Sequence, residues 1–139
     1  MNLLARREHS LAELQRKLGQ RFEADELDAA LERLAQEKLQ SDERFARSFT
    51  RERMLRGVGP LRIESELRQR GVQRVFIDQA LAAIPREEGV TWREVARDVL
   101  LRKFGDAPPA DLPDKARRLR FLGYRGFGEE SAGLVPDVY

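Results

Sequence analysis

Cysteine is absent from the 139 residues. That excludes disulfides and thiolate metal sites within this sequence and suits a reducing cytoplasm. Histidine occurs once, at His9, next to the Ser10 helix cap, where a surface role is the plainer reading. The serines therefore have no partner base beyond that one residue, and no carboxylates gather with histidine at metal-ligand spacing. The expectation is a protein that is not an enzyme. There is no run of 18 apolar residues, and the opening MNLLARREHS lacks the apolar segment of a signal peptide. A soluble cytoplasmic protein with no membrane partner is expected. Aromatic residues make up only 7%, with a single tryptophan, so platforms for stacking single-stranded bases are scarce. Phe45, Phe49 and Phe76 are spaced as core. Phe121, Tyr124 and Phe127 gather near Arg118, Arg120 and Arg125, and Tyr124 is the one open to exposure.

Lysine is also rare, and what replaces it is arginine. Of 26 basic residues only Lys17, Lys38, Lys103 and Lys115 are lysine. Arginine suits bidentate recognition of phosphate or carboxylate, although a GC-rich genome produces the same bias. The formal net charge is only +2, yet the charges are segregated: residues 23–43 carry −6 and residues 44–74 carry +6.

The chain reads as helices throughout. A short helix covers residues 2–8, and Ser10 with Glu13 forms a capping box ahead of Leu14 and Leu18. Asp25 caps a helix whose apolar positions are Leu27, Ala30, Leu31 and Leu34. After the central stretch, VFIDQALAAI gives a helix ending at Pro85. Thr91 with Glu94 makes a second capping box before Trp92, Val95, Ala96, Val99 and Leu100. Pro108 and Pro109 mark a loop, a helix follows Pro113, and Gly126 stops it ahead of a poorly helical tail. Breaks are expected near 19–24, 57–59, 71–74, 85–90, 105–112 and 126–128. No period-2 alternation appears, so the fold class is all-α.

Internal repetition organises these helices. LDAALERL (27–34) overlays IDQALAAI (77–84) at an offset of 50, and FARSF (45–49) overlays VARDV (95–99) at the same offset. LRQRGV overlays LGYRGF at 55, the excess falling at the Pro108-Pro109 loop, and Leu18, Leu67 and Leu122 become equivalent. Three tandem three-helix repeats at 1–39, 40–87 and 88–139 account for nearly all residues, the last closing without an evident third helix. Each is too small to bury a core alone, so an elongated, curved array is expected.

The stretch from Gln40 to Val72 is the most informative. Ser41-Asp42-Glu43 offers a cap and two carboxylates for a helix start, and Phe45, Ala46 and Phe49 form its apolar face. Gly57-Val58-Gly59 breaks the run, with Gly59 as the next cap and Pro60 at the first helical position. A phosphate loop is the poorer reading of these glycines, because no strand precedes them and Pro60 removes an amide donor. Leu61, Ile63 and Leu67 form the apolar side of the second helix, and Gly71 ends it in the left-handed conformation.

Asp42, Phe45, Ala46, Phe49, Arg53, Gly57, Gly59, Arg62, Ile63, Leu67 and Gly71 together resemble the RecX family, bacterial regulators of the RecA recombinase. The resemblance implies tandem three-helix repeats and no cofactor. It also implies a monomer that docks on the RecA–single-stranded DNA filament and restrains its recombinase, ATPase and co-protease activities in DNA repair and the SOS response. DNA itself would be bound weakly. Two alternatives stay open from the residues alone: a nucleic-acid-binding helical module resembling helix-turn-helix units, and a generic α-helical adaptor.

The candidate binding residues are arginines. At 100° per residue Arg44, Arg47 and Arg51 fall within about 60° of one another, opposite Phe45 and Phe49. They read as a solvent-facing stripe without acidic partners on its face. Arg53 points nearer the phenylalanines, where a carboxylate could hold it against the core. Arg62, Arg68 and Arg70 line the second helix, where Glu64–Arg68 and Glu66–Arg70 have the spacing of helical ion pairs.

Overall fold

In the computed structural model, residues 24–138 are described. They form five α-helices and no strand. The helices are α1 (Ala24–Leu55), α2 (Pro60–Gln69), α3 (Arg74–Glu87), α4 (Trp92–Phe104) and α5 (Leu112–Arg125), followed by a 3-10 turn at Glu129–Ser131. No helix among these residues is long and apolar enough to cross a membrane. His9, the Ser10–Glu13 box, Leu14, Leu18 and the expected break at 19–24 lie outside the described residues.

The chain divides into two compact units, Met1–Arg44 and Phe45–Tyr139, and the division falls inside α1. In the first unit, Leu27, Ala30, Leu31 and Leu34 are half-buried along α1. Asp25 lies in the first turn rather than at the cap.

The cap expected at Ser41-Asp42-Glu43 is not one. These residues sit in the middle of the 32-residue α1. The preceding AQEKLQ is made of good helix formers, so nothing makes the chain leave helical geometry before Ser41. Asp42 is buried, and Lys38 one turn earlier donates to its Oδ2 at 2.7 Å. The repeat boundary expected at 39/40 thus falls within a continuous helix.

In the second unit, α1 ends, α2 packs on α3, and a first core forms. Ala46, Phe49, Met54, Ile63, Leu67, Ile77, Ala80 and Ile84 are its buried centre. Leu61, expected on this face, is 56% exposed, while Ile63 and Leu67 are fully buried. A second core joins α4 and α5 through Ala96, Val99, Leu100 and Leu122, closed by Phe127 and Val135. Where a third helix would complete this group, the chain supplies only the 3-10 turn and the apolar Leu134 and Val135. Trp92 and Val95 touch both cores.

The helix ends are chemically explicit. Gly57, Gly71, Gly89 and Gly126 all take positive φ. Behind each, the next residue's N–H reaches back five residues, as in Val72 N–H to Leu67 O at 3.1 Å. This double closure satisfies carbonyls that a helix terminus leaves open. Thr91 and Glu94 form the full capping box, and Asp111 Oδ1 accepts from Asp114 N–H at 2.8 Å.

Helix α3 does not stop at Pro85. It continues to Glu87, with Pro85 buried inside it. Proline has no N–H to give to the carbonyl four residues back, which belongs to Leu81. The indole Nε1–H of Trp92 donates to that oxygen instead, at 2.9 Å.

Candidate functional site

The corner between α1 and α2 is where α5 docks. Gly59 N–H donates to Arg125 O at 2.7 Å, and Leu61 N–H donates to Gly126 O at 3.0 Å. A Cβ on Gly59 would lie 2.4 Å from the Gly126 oxygen, and a Cβ on Gly126 would lie 2.4 Å from Arg62 Cβ. Gly57, at φ +79, closely faces Val99. These glycines let three backbones meet, which fixes the arginines of α1, α2 and α5 relative to one another.

Arg47 and Arg51 are not a bare stripe. Arg47 pairs with Glu87 Oε1. Arg51 donates to Glu87 Oε2 and Glu88 Oε1, both at 2.8 Å. The two arginines tie α1 to the end of α3, and the hydrogen bond from Arg47 holds the Glu87 carboxyl below its ordinary value. These acids lie about forty residues downstream, so no scan of neighbouring helical positions finds them. Arg44 is exposed and makes no side-chain hydrogen bond or ion pair among the described residues.

The helical pairs expected on α2 are also rearranged. Glu66 takes Arg62 at 3.1 Å and Arg53 at 3.3 Å, and Glu64 takes Arg74 at 2.9 Å. Arg53 is thus held by a carboxylate beside the core, and its guanidinium lies 4.7 Å from the Phe49 ring centroid. Arg70 reaches the same ring at 5.1 Å and Phe45 at 5.6 Å, so cation–π contact takes it instead of Glu66. Arg68 is exposed with no side-chain partner among the described residues. Arg62 stands 5.4 Å from the ring of Tyr124, which is 76% exposed.

Of the six candidate arginines, then, Arg47 and Arg51 brace the fold and Arg70 covers the aromatic pair. Arg62 forms an exposed arginine–tyrosine group, and Arg44 and Arg68 keep their charge open. The remaining motif residues are structural: Ala46, Phe49, Ile63 and Leu67 are buried, and Gly71 takes the left-handed turn at φ 80.

Two features escape sequence reasoning. Arg118 is buried, donating to Ala107 O at 2.8 Å and to Asp114 Oδ2 at 3.2 Å. The Ala110 N–H, followed by Arg117 and Arg118, lowers the Asp114 carboxyl. The i, i+4 spacing of Asp114 and Arg118 was the available signal. The second is a cavity of about 610 Å³ between the two cores, floored by Met54, Leu55, Val95, Val99 and Phe121. No group of three or more carboxylate or histidine side chains placed to hold a metal occurs among the described residues.

Comparison with known proteins gives these residues a setting. The family model for the second three-helix domain of RecX matches residues 41–81, and that for the first three-helix domain matches residues 1–34. A protein of Pseudomonas savastanoi named Regulatory protein RecX is 49% identical over 136 residues, covering 97% of this chain and 85% of its own. A protein of the same name from Pseudomonas putida is 51% identical over the same shares. One from Pseudomonas entomophila is 49% identical over 143 residues, covering 100% of this chain and 90% of its own.

Proposed function

The chain belongs to the RecX family, and from that premise we propose that it binds the RecA–single-stranded DNA filament and restrains it. On this reading it lowers strand exchange, ATP hydrolysis and co-protease activity in DNA repair and the SOS response. It acts in the cytoplasm as a monomer, by binding rather than by catalysis, and without a cofactor. The observation that carries the reading is the match along nearly the whole chain to relatives named as regulatory proteins. The organisation proposed with it is three repeats, 1–39, 40–87 and 88–139, the last closed by a 3-10 turn in place of a helix. Family domains matched at 1–34 and 41–81 support that division.

Among the candidate contacts, Arg44 and Arg68 are favoured, because their charges are not spent on partners among the described residues. Arg62 follows, paired but half exposed. Arg47 and Arg51 are weaker candidates, since reaching a filament would break ion pairs that hold α1 to α3. Exposed cations of this kind steer association and weaken with salt.

The test is a titration of the chain into RecA filaments while ATP hydrolysis and strand exchange are followed. Inhibition by the wild type, reduced about tenfold in potency by Arg44→Glu combined with Arg68→Glu, is expected. No effect of the wild type on either reaction contradicts the regulatory reading. Undiminished inhibition by the folded variant removes these two arginines from the contact.

A further inference from the structure

The cavity between the two cores of the second unit has a floor and a charge pattern that the fold does not use. Its apolar floor includes Leu55, which ends α1 and is 65% exposed, and the half-buried Phe121. A side chain so exposed at the edge of a 610 Å³ cavity offers apolar surface without an internal partner.

The charges around it divide into spent and unspent. Every lining carboxylate is engaged: Glu88 by Arg51, Asp98 by Arg102 at 3.1 Å, and Glu94 by the Thr91 N–H at 3.1 Å. Arg56 has Glu52 at 3.3 Å. Among the described residues Lys103 and Arg125 have no carboxylate partner. Both stand over the same Phe121 ring, at 5.9 and 5.4 Å from its centroid, and Arg125 also donates to the Arg56 carbonyl at 3.3 Å. The site is therefore an apolar recess with two cations over one of its walls.

We propose that this cavity receives a short protein segment of the RecA filament that carries an acidic residue beside a large apolar side chain. The inference rests on the filament being the partner. The apolar group fills the recess against Leu55, Val95 and Phe121, and its neighbouring carboxylate pairs with Lys103 or Arg125 at the Phe121 wall. A nucleic acid strand fits less well, because a run of phosphates would leave the apolar floor of Leu55, Val95 and Phe121 uncovered.

The chain has no cysteine, so a single introduced thiol labels one place only. Fluorescent chain labelled at Arg97→Cys, an exposed position outside the cavity, is titrated with RecA filaments on single-stranded DNA, and binding is read by anisotropy. Leu55→Asp and the pair Lys103→Glu with Arg125→Glu are each expected to weaken binding about tenfold or more. Lys103→Arg and the control Arg120→Glu, a residue that does not line the cavity, are expected to stay within about twofold. Circular dichroism accompanies each variant; Leu55 and Lys103 are exposed, so at least these changes leave the fold in place. A benzophenone at Leu55→Cys is expected to crosslink to a RecA peptide containing Asp or Glu beside an apolar residue. Wild-type binding retained within about twofold by both cavity variants overturns the cavity and leaves the regulatory reading standing. A crosslink to the DNA, or to a second copy of this chain, also overturns it. A wild-type chain that does not bind filaments at all removes both readings.

Discussion

Trp92 supplies the hydrogen bond that Pro85 cannot. The proline sits inside α3 and leaves the Leu81 carbonyl without its helical donor, and the indole N–H of Trp92 closes on that oxygen at 2.9 Å. Trp92 also opens α4 and touches both cores, so one residue repairs the end of α3 while starting α4.

The pair predicts a coupling. Trp92→Phe should lose about 1–2 kcal/mol, the usual cost of leaving a part-buried carbonyl unpaired, beyond a small packing loss. In a Pro85→Ala background the helix regains its own donor, and the same Trp92→Phe change should cost clearly less. Urea unfolding of the four proteins measures the coupling directly. Equal costs in both backgrounds would mean that the hydrogen bond is not what Trp92 contributes.

Gly59→Ala should destabilise by more than about 2 kcal/mol, although φ at Gly59 is an ordinary −86°. The cost comes from approach, since the new Cβ would meet the Gly126 carbonyl oxygen at 2.4 Å. Gly105→Ala is the matched comparison. It has open space around it but φ +76, so its cost should be about 1 kcal/mol from backbone strain alone. Thermal melts that rank Gly105→Ala as the worse change would contradict the backbone contact between α2 and α5.

Leu67→Ala should cost roughly 2–5 kcal/mol, because Leu67 is fully buried in the first core. A loss below about 0.5 kcal/mol in urea unfolding, the range of a surface change, would place this face of α2 outside the core.

The Glu87 pairing has a pH signature. Its native carboxyl lies below the ordinary 4.5, chiefly because Arg47 bonds it. Deprotonated Glu87 therefore stabilises the native state above that value, and the contribution fades as pH falls through the lower native pKa. The stability gap between wild type and Glu87→Gln should be widest near neutral pH and close under acid conditions. A gap that stays constant from neutral pH to below pH 4 would show that the arginines do not favour the charged form. By the same contact, Arg47→Glu with Arg51→Glu should lower the melting temperature, since four carboxylates would then face one another.

Local chemistry was legible in the sequence, and long-range pairing was not. Gly59-Pro60, Thr91 with Glu94, Gly71 and Gly126 start or end helices where their positions imply, whereas the meeting of Gly59 with Gly126 is made by the fold. Ser41-Asp42-Glu43 misleads because a capping residue caps only if the chain leaves helical geometry there, and AQEKLQ gives it no reason to. Arg47 and Arg51 looked unpaired because Glu87 and Glu88 are brought to them by the fold. Glu66 had three arginines within reach, and which ones it takes depends on Phe45 and Phe49 drawing Arg70 onto their rings.

The most direct measurement is co-sedimentation of the full chain with RecA filaments on single-stranded DNA, beside the DNA alone and RecA alone. The account predicts that the chain pellets with the filament at physiological salt, that little is retained by DNA alone, and that added salt releases it. Retention on bare DNA equal to that on the filament, or none on either, would contradict it.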